Sequence, residues 1–105
     1  MPGNYSPSGE FNDVNNESYV SGPVSVTAVA VEAKVGASRL SGRETITITN
    51  KGNKTVYYGP LGVTSTTGDV LYKDQFVSLP IGDNVAVYVV CGGGDTATVI
   101  VQEQS

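Results

Sequence analysis

Histidine and tryptophan are absent from this chain, and cysteine and methionine occur once each. Without histidine the chain lacks the commonest general base and metal ligand near neutral pH. No Ser-His-Asp or Cys-His constellation can therefore be assembled from it. The single cysteine, Cys91, closes no disulfide within the chain. Nor does it build a zinc site, which takes three or four Cys or His ligands. A disulfide-stapled secreted scaffold is excluded on the same ground. Cys91 ends an apolar run over residues 85–91 and reads as a small buried hydrophobe.

Charge is scarce as well, at 15% of residues, with six basic against ten acidic side chains and a net charge of -4. Phosphate backbones demand a positive footprint, so no nucleic-acid partner is expected. No stretch approaches the ~20 apolar residues of a membrane helix. The start, Met1-Pro2-Gly3-Asn4-Tyr5-Ser6, lacks the basic-then-apolar order of a signal peptide. The expectation is a protein made in a cytoplasm, with no membrane partner.

What the chain does have is β-branched residues. Val, Ile and Thr account for 31 positions, Leu and Met for five. Such side chains fit pleated strands and are stiff in helices. Thirteen glycines and five prolines punctuate the chain, and 105 residues fit one domain. The composition predicts an all-β domain.

Residues 1–23 differ from the rest. They hold three prolines, three glycines and four asparagines, and Glu10, Asp13 and Glu17 carry -3 without a basic residue. So polar a segment cannot order itself by burial. It reads as an extended N-terminal arm, against the alternative of a tail without a role. Tyr5, Phe11 and Tyr19 are its candidate partner-binding residues, because aromatics in a polar arm can anchor it to another surface.

Residues 24–105 read as about eight short antiparallel strands separated by turns, at the spacing of a β-sandwich or a barrel. The run 24–35 is apolar on both faces and predicts a central strand. Residues 44–49 alternate Ile46 and Ile48 with threonines. Residues 50–54 read as a hairpin turn, with 55–58 as the returning strand. Short strands follow at 62–65, 70–72 and 76–79. Residues 85–91 predict a core strand, and 96–102 alternate Ala97, Val99 and Val101 with Thr98, Ile100 and Gln102.

The motifs that might carry chemistry are weak. Gly92-Gly93-Gly94 lacks the Lys-Ser/Thr of a phosphate-binding loop and reads as a turn. Asp69, Asp74, Asp83 and Asp95 fall at turns, where aspartate is ordinary, without calcium-loop spacing. Asn16-Glu17-Ser18 and Asn53-Lys54-Thr55 match a glycosylation sequon, read as accidental without a secretion signal. Tyr57, Tyr72 and Tyr88 read as packing residues rather than a sugar platform. Neither a catalytic residue, a metal ligand nor a cofactor site is assigned, and an enzyme is not expected.

From Gly42 to Glu103 the chain carries a recognisable pattern. It runs Arg43-x-x-Ile46-x-Ile48-x-Asn50, then Tyr57-Tyr58-Gly59, Val63-Thr64-Ser65-Thr66-Thr67-Gly68, the Val87–Val89 strand and 98–103. This resembles small β-sandwich proteins of tailed-bacteriophage virions, among them capsid decoration (cement) proteins and head fibres. The resemblance implies a jelly-roll-like sandwich and a non-enzymatic virion structural protein. It implies a homotrimer on the capsid exterior, with the major capsid protein as partner. The alternative is a head-fibre, tail or surface module that binds host glycans.

Overall fold

The computed structural model describes residues 18–105. They form eight strands: β1 (Tyr19–Val26), β2 (Val31–Glu32), β3 (Thr45–Asn50), β4 (Val56–Gly59), β5 (Asp69–Leu71), β6 (Phe76–Leu79), β7 (Tyr88–Cys91) and β8 (Ala97–Gln104). The strands make two four-stranded antiparallel sheets, ordered β1-β8-β3-β6 and β2-β7-β4-β5. The fold is all-β, as the β-branched composition predicts, and the described residues contain no helix.

The strands form where the two-residue period is cleanest. On β3, Ile46 and Ile48 are fully buried while the threonines face out. On β8, Val99 and Val101 point inward at the same period. One sheet contributes Val26, Ile46, Ile48, Val99 and Val101 to the core, and the other Val56, Leu71, Val89 and Cys91. Burying one aliphatic side chain of this size contributes about 1.5–3 kcal/mol. The shared core makes the pair of sheets a β-sandwich.

Three expectations are corrected. The run 24–35 is not one central strand. It is split between β1 and β2, each an edge strand of a different sheet. β1 also begins at Tyr19, so the boundary drawn at residue 23 falls inside a strand. Pro23 is compatible with this position, since the Ser105 N–H to Ser18 carbonyl bond sets a ladder phase in which position 23 faces the free edge. Secondly, 55–58 is not the return strand of 44–49. β3 and β4 lie in different sheets, and β4 pairs with β5 and β7. Thirdly, 62–65 forms no strand. Val63 instead sits against Gly59 and Gly68, where an added Cβ would come within 2.9 Å and 2.8 Å of its methyl.

Asn50 explains why the chain changes sheets after β3. Its buried amide donates to the carbonyls of Lys54 (2.8 Å) and Leu71 (2.9 Å), while its oxygen accepts from Gly52 N–H (2.9 Å). These bonds curl residues 50–54 across the end of the sandwich. Gly52 lies so close to β8 that a Cβ there would stand 2.6 Å from that of Ala97.

Candidate functional site

The described chain enters the sandwich at a fixed point. Ser18 N–H donates to Ser105 Oγ (2.9 Å), and Ser105 N–H donates to the Ser18 carbonyl (3.0 Å). Ser18, the first described residue, therefore stands beside the end of β8. Of the three candidate partner-binding residues, Tyr5 and Phe11 lie outside the described residues. Tyr19 is the first residue of β1 and is 57% exposed. Its phenol oxygen accepts a hydrogen bond from Gln102 Nε2 at 2.6 Å, which positions the side chain over β8.

Tyr19 borders a surface with one chemical character. Counting outward positions by strand alternation, the exposed face of β1-β8-β3-β6 presents serine, threonine, glutamine, one isoleucine and Pro23. Phe76, on β6, stands at the opposite border from Tyr19. No charged side chain belongs to this face. Thr47 and Ser78 hydroxyls share a 2.6 Å hydrogen bond across β3 and β6. Such a face offers hydroxyls and amides to a partner without requiring charge desolvation.

Arg43, Glu103, Arg39, Glu32 and Asp83 form a hydrogen-bonded group near the end where β1 begins. Arg43 and Glu103 form an ion pair at 2.7 Å with both side chains wholly shielded. Glu103 also accepts from the N–H groups of Val35 (3.2 Å) and Leu40 (3.3 Å). Arg43 donates further to the carbonyls of Ile81 (3.1 Å), Gly82 (2.9 Å) and Val85 (2.7 Å). One pair thus holds two loops against the end of β8, and it meets no solvent and hence no dissolved substrate. Nearby, Arg39 pairs with Glu32 and donates to the Asp83 carbonyl (3.0 Å), and Asp83 accepts from Gly42 N–H (2.7 Å). The Glu32 hydrogen bond is the main reason the Arg39 guanidinium is held above its ordinary range.

The remaining candidates divide by position. Burial, with a smaller contribution from Asp95, pushes the Cys91 thiol up, as expected of a buried hydrophobe. Tyr58 packs against the core, and burial, then the Asp69 carboxylate, raises its phenol. Tyr57 and Tyr88 are half-buried, whereas Tyr72 is exposed. Among the described residues, no group of three or more His, Cys, Asp or Glu side chains is placed to hold a metal ion.

Sequence reasoning missed Arg43, Glu103 and Asn50, the buried polar residues of the described chain. A signal existed for each. Glu103 continues the inward period of Val99 and Val101, and Asn50 continues that of Ile46 and Ile48. Arg43 is the first position of the pattern Arg43-x-x-Ile46-x-Ile48-x-Asn50, all four named positions of which are buried. Compared with known proteins, the chain matches no family model and no curated protein.

Proposed function

We propose that the sandwich is a jelly roll and that the protein is a non-enzymatic structural component of a bacteriophage virion, a capsid decoration (cement) protein. In this reading it binds the major capsid protein on the outside of the head as a homotrimer and stabilises the shell. The observation that carries the reading is the strand order, β1-β8-β3-β6 against β2-β7-β4-β5. Successive strands alternate between the sheets except at β4–β5, as in the two interleaved Greek keys of a jelly roll. That architecture recurs in viral capsid domains.

The burial of Arg43, Ile46, Ile48 and Asn50 adds support, since these are positions on which the resemblance to virion proteins rests. The charge-free face beside Tyr19 is the surface we assign to the shell. In this reading Tyr5 and Phe11, which lie outside the described residues, add to that contact. Three copies on one trimer bind at high effective concentration.

The test is co-sedimentation with emptied heads of the phage that encodes the chain. The full chain is expected to co-sediment. A chain lacking residues 1–17 is expected to remain free while keeping its far-UV circular dichroism. A full chain that stays in the supernatant overturns the cement reading, and a truncated chain that binds equally well overturns the role of Tyr5 and Phe11.

A further inference from the structure

On one side of the sandwich the edge strands are β5 and β6, one from each sheet. A groove opens between them, floored by side chains of the two inner faces. One stretch is an apolar pocket of about 250 Å³, lined by Tyr58, Leu79 and Ile81 with Asp69 at its wall. The adjoining stretch is lined by Tyr58, Leu71 and Val77 with Asp74. Tyr58 belongs to both, so the two stretches form one groove. The apolar pocket falls below the about 300–1,000 Å³ of a drug-sized site and suits single side chains.

The groove is acidic as well as apolar. Asp69 stands directly opposite Tyr58 in the β4–β5 pair, on the face that packs against the core. After burial, its carboxylate is the second cause that raises the Tyr58 phenol, as a nearby negative charge does. Among the described residues, ion pairs engage Glu32 and Glu103 but neither Asp69 nor Asp74. Lys73 adjoins Asp74 in sequence but lines neither stretch. The complementary occupant is an apolar stem that ends in a cation, which describes a lysine or arginine side chain. Residues 1–17 contain neither lysine nor arginine, so the chain's own N-terminal segment does not supply one.

The β6 edge can hold a backbone that carries such side chains. The Asn50 N–H to Gln75 carbonyl bond (2.9 Å) sets the ladder phase, so Val77 and Leu79 bond to β3. Phe76 and Ser78 therefore turn their N–H and C=O groups to the free edge. On β1, by contrast, Pro23 stands at a free-edge position and has no N–H to offer, which discourages pairing there. A strand added to β6 continues its alternation. Every second side chain then falls beside Val77 and Leu79, on the groove side, about 7 Å from the next.

We infer that this groove takes an extended segment of a partner protein, which pairs with the free edge of β6 and sets lysine or arginine side chains against Asp69 and Asp74. Main-chain bonds to Phe76 and Ser78 supply affinity, and the apolar floor with its two carboxylates selects the side chains. The inference does not depend on the proposed role on a phage head.

The probe is the capped peptide Thr-Lys-Thr-Val-Thr-Lys-Thr, titrated into the isotope-labelled full chain and followed by amide chemical shifts. The control peptide carries glutamate in place of lysine. The lysine peptide is expected to shift the amides of residues 76–79 and to bind at least about tenfold more tightly than the glutamate peptide. Asp69→Asn is expected to weaken it about threefold to fivefold, and Asp95→Asn, in the β7–β8 turn, to leave it unchanged. Ser78→Pro removes a free-edge N–H and is expected to abolish binding with its far-UV circular dichroism unchanged. Amides 76–79 that stay still at millimolar lysine peptide overturn the inference. So does a glutamate peptide that binds equally well, or full affinity in either Asp69→Asn or Ser78→Pro. Shifts of the same amides with protein concentration alone make a second copy the occupant and overturn it too. A chain that binds phage heads but not the peptide keeps the cement reading and loses the groove.

Discussion

Arg43 and Glu103 stand 60 positions apart and meet at 2.7 Å, with no solvent exposure on either side chain. The pair joins the segment before β3 to the end of β8. Removing one partner strands the other charge in the interior. Arg43→Met and Glu103→Leu are each expected to cost about 3–5 kcal/mol. The double variant is expected to recover most of that loss, because neither charge remains. Urea unfolding of the three variants, compared at constant m-value, measures the coupling.

Asn50 fills both its donors and its acceptor with backbone partners. Asn50→Ala leaves two carbonyls and one N–H without that partner, at a cost of about 1–3 kcal/mol. Asn50→Asp is expected to be worse, because a carboxylate then faces the carbonyls of Lys54 and Leu71. Chemical denaturation midpoints rank the two, and an Asp variant as stable as the wild type would contradict the hydrogen-bond assignment.

Cys91 and Tyr58 are both held above their ordinary pKa by burial. The unfolded chain releases these protons near about pH 8.5 and about pH 10, while the folded protein retains them to higher pH. The stability they contribute is full below those values and is lost as pH rises through the folded ones. Unfolding free energy is expected to fall as pH rises above about 8.5. Cys91→Ala flattens the first part of that decline while lowering stability throughout by the lost packing. Thermal unfolding at a series of alkaline pH values checks the slope.

Gly52 and Gly93 are expected to respond oppositely to alanine. A Cβ at Gly52 meets the Ala97 Cβ at 2.6 Å and its Cα at 2.9 Å, whereas one at Gly93 meets nothing within 4 Å. Gly52→Ala forces the 50–54 turn away from β8, at about 1–3 kcal/mol. Gly93→Ala is expected to be neutral or to stabilise by up to about 1 kcal/mol, through the unfolded chain. Melting temperatures of the two variants separate the cases.

The sequence by itself determined the all-β class, most of the strands and their inward faces. These are local properties: β-branched residues at a two-residue period declare a strand wherever it ends up. Ile46, Ile48, Val99 and Val101 were legible for that reason. Tertiary structure alone decided which sheet each strand joined. A turn such as 50–54 has the same composition whether it closes a hairpin or crosses between sheets, and the choice was made by Asn50 reaching the distant Leu71 carbonyl. The edge position of β1 and the Arg43–Glu103 pair are likewise products of long-range pairing. No local pattern records which residues, tens of positions apart, will be brought together.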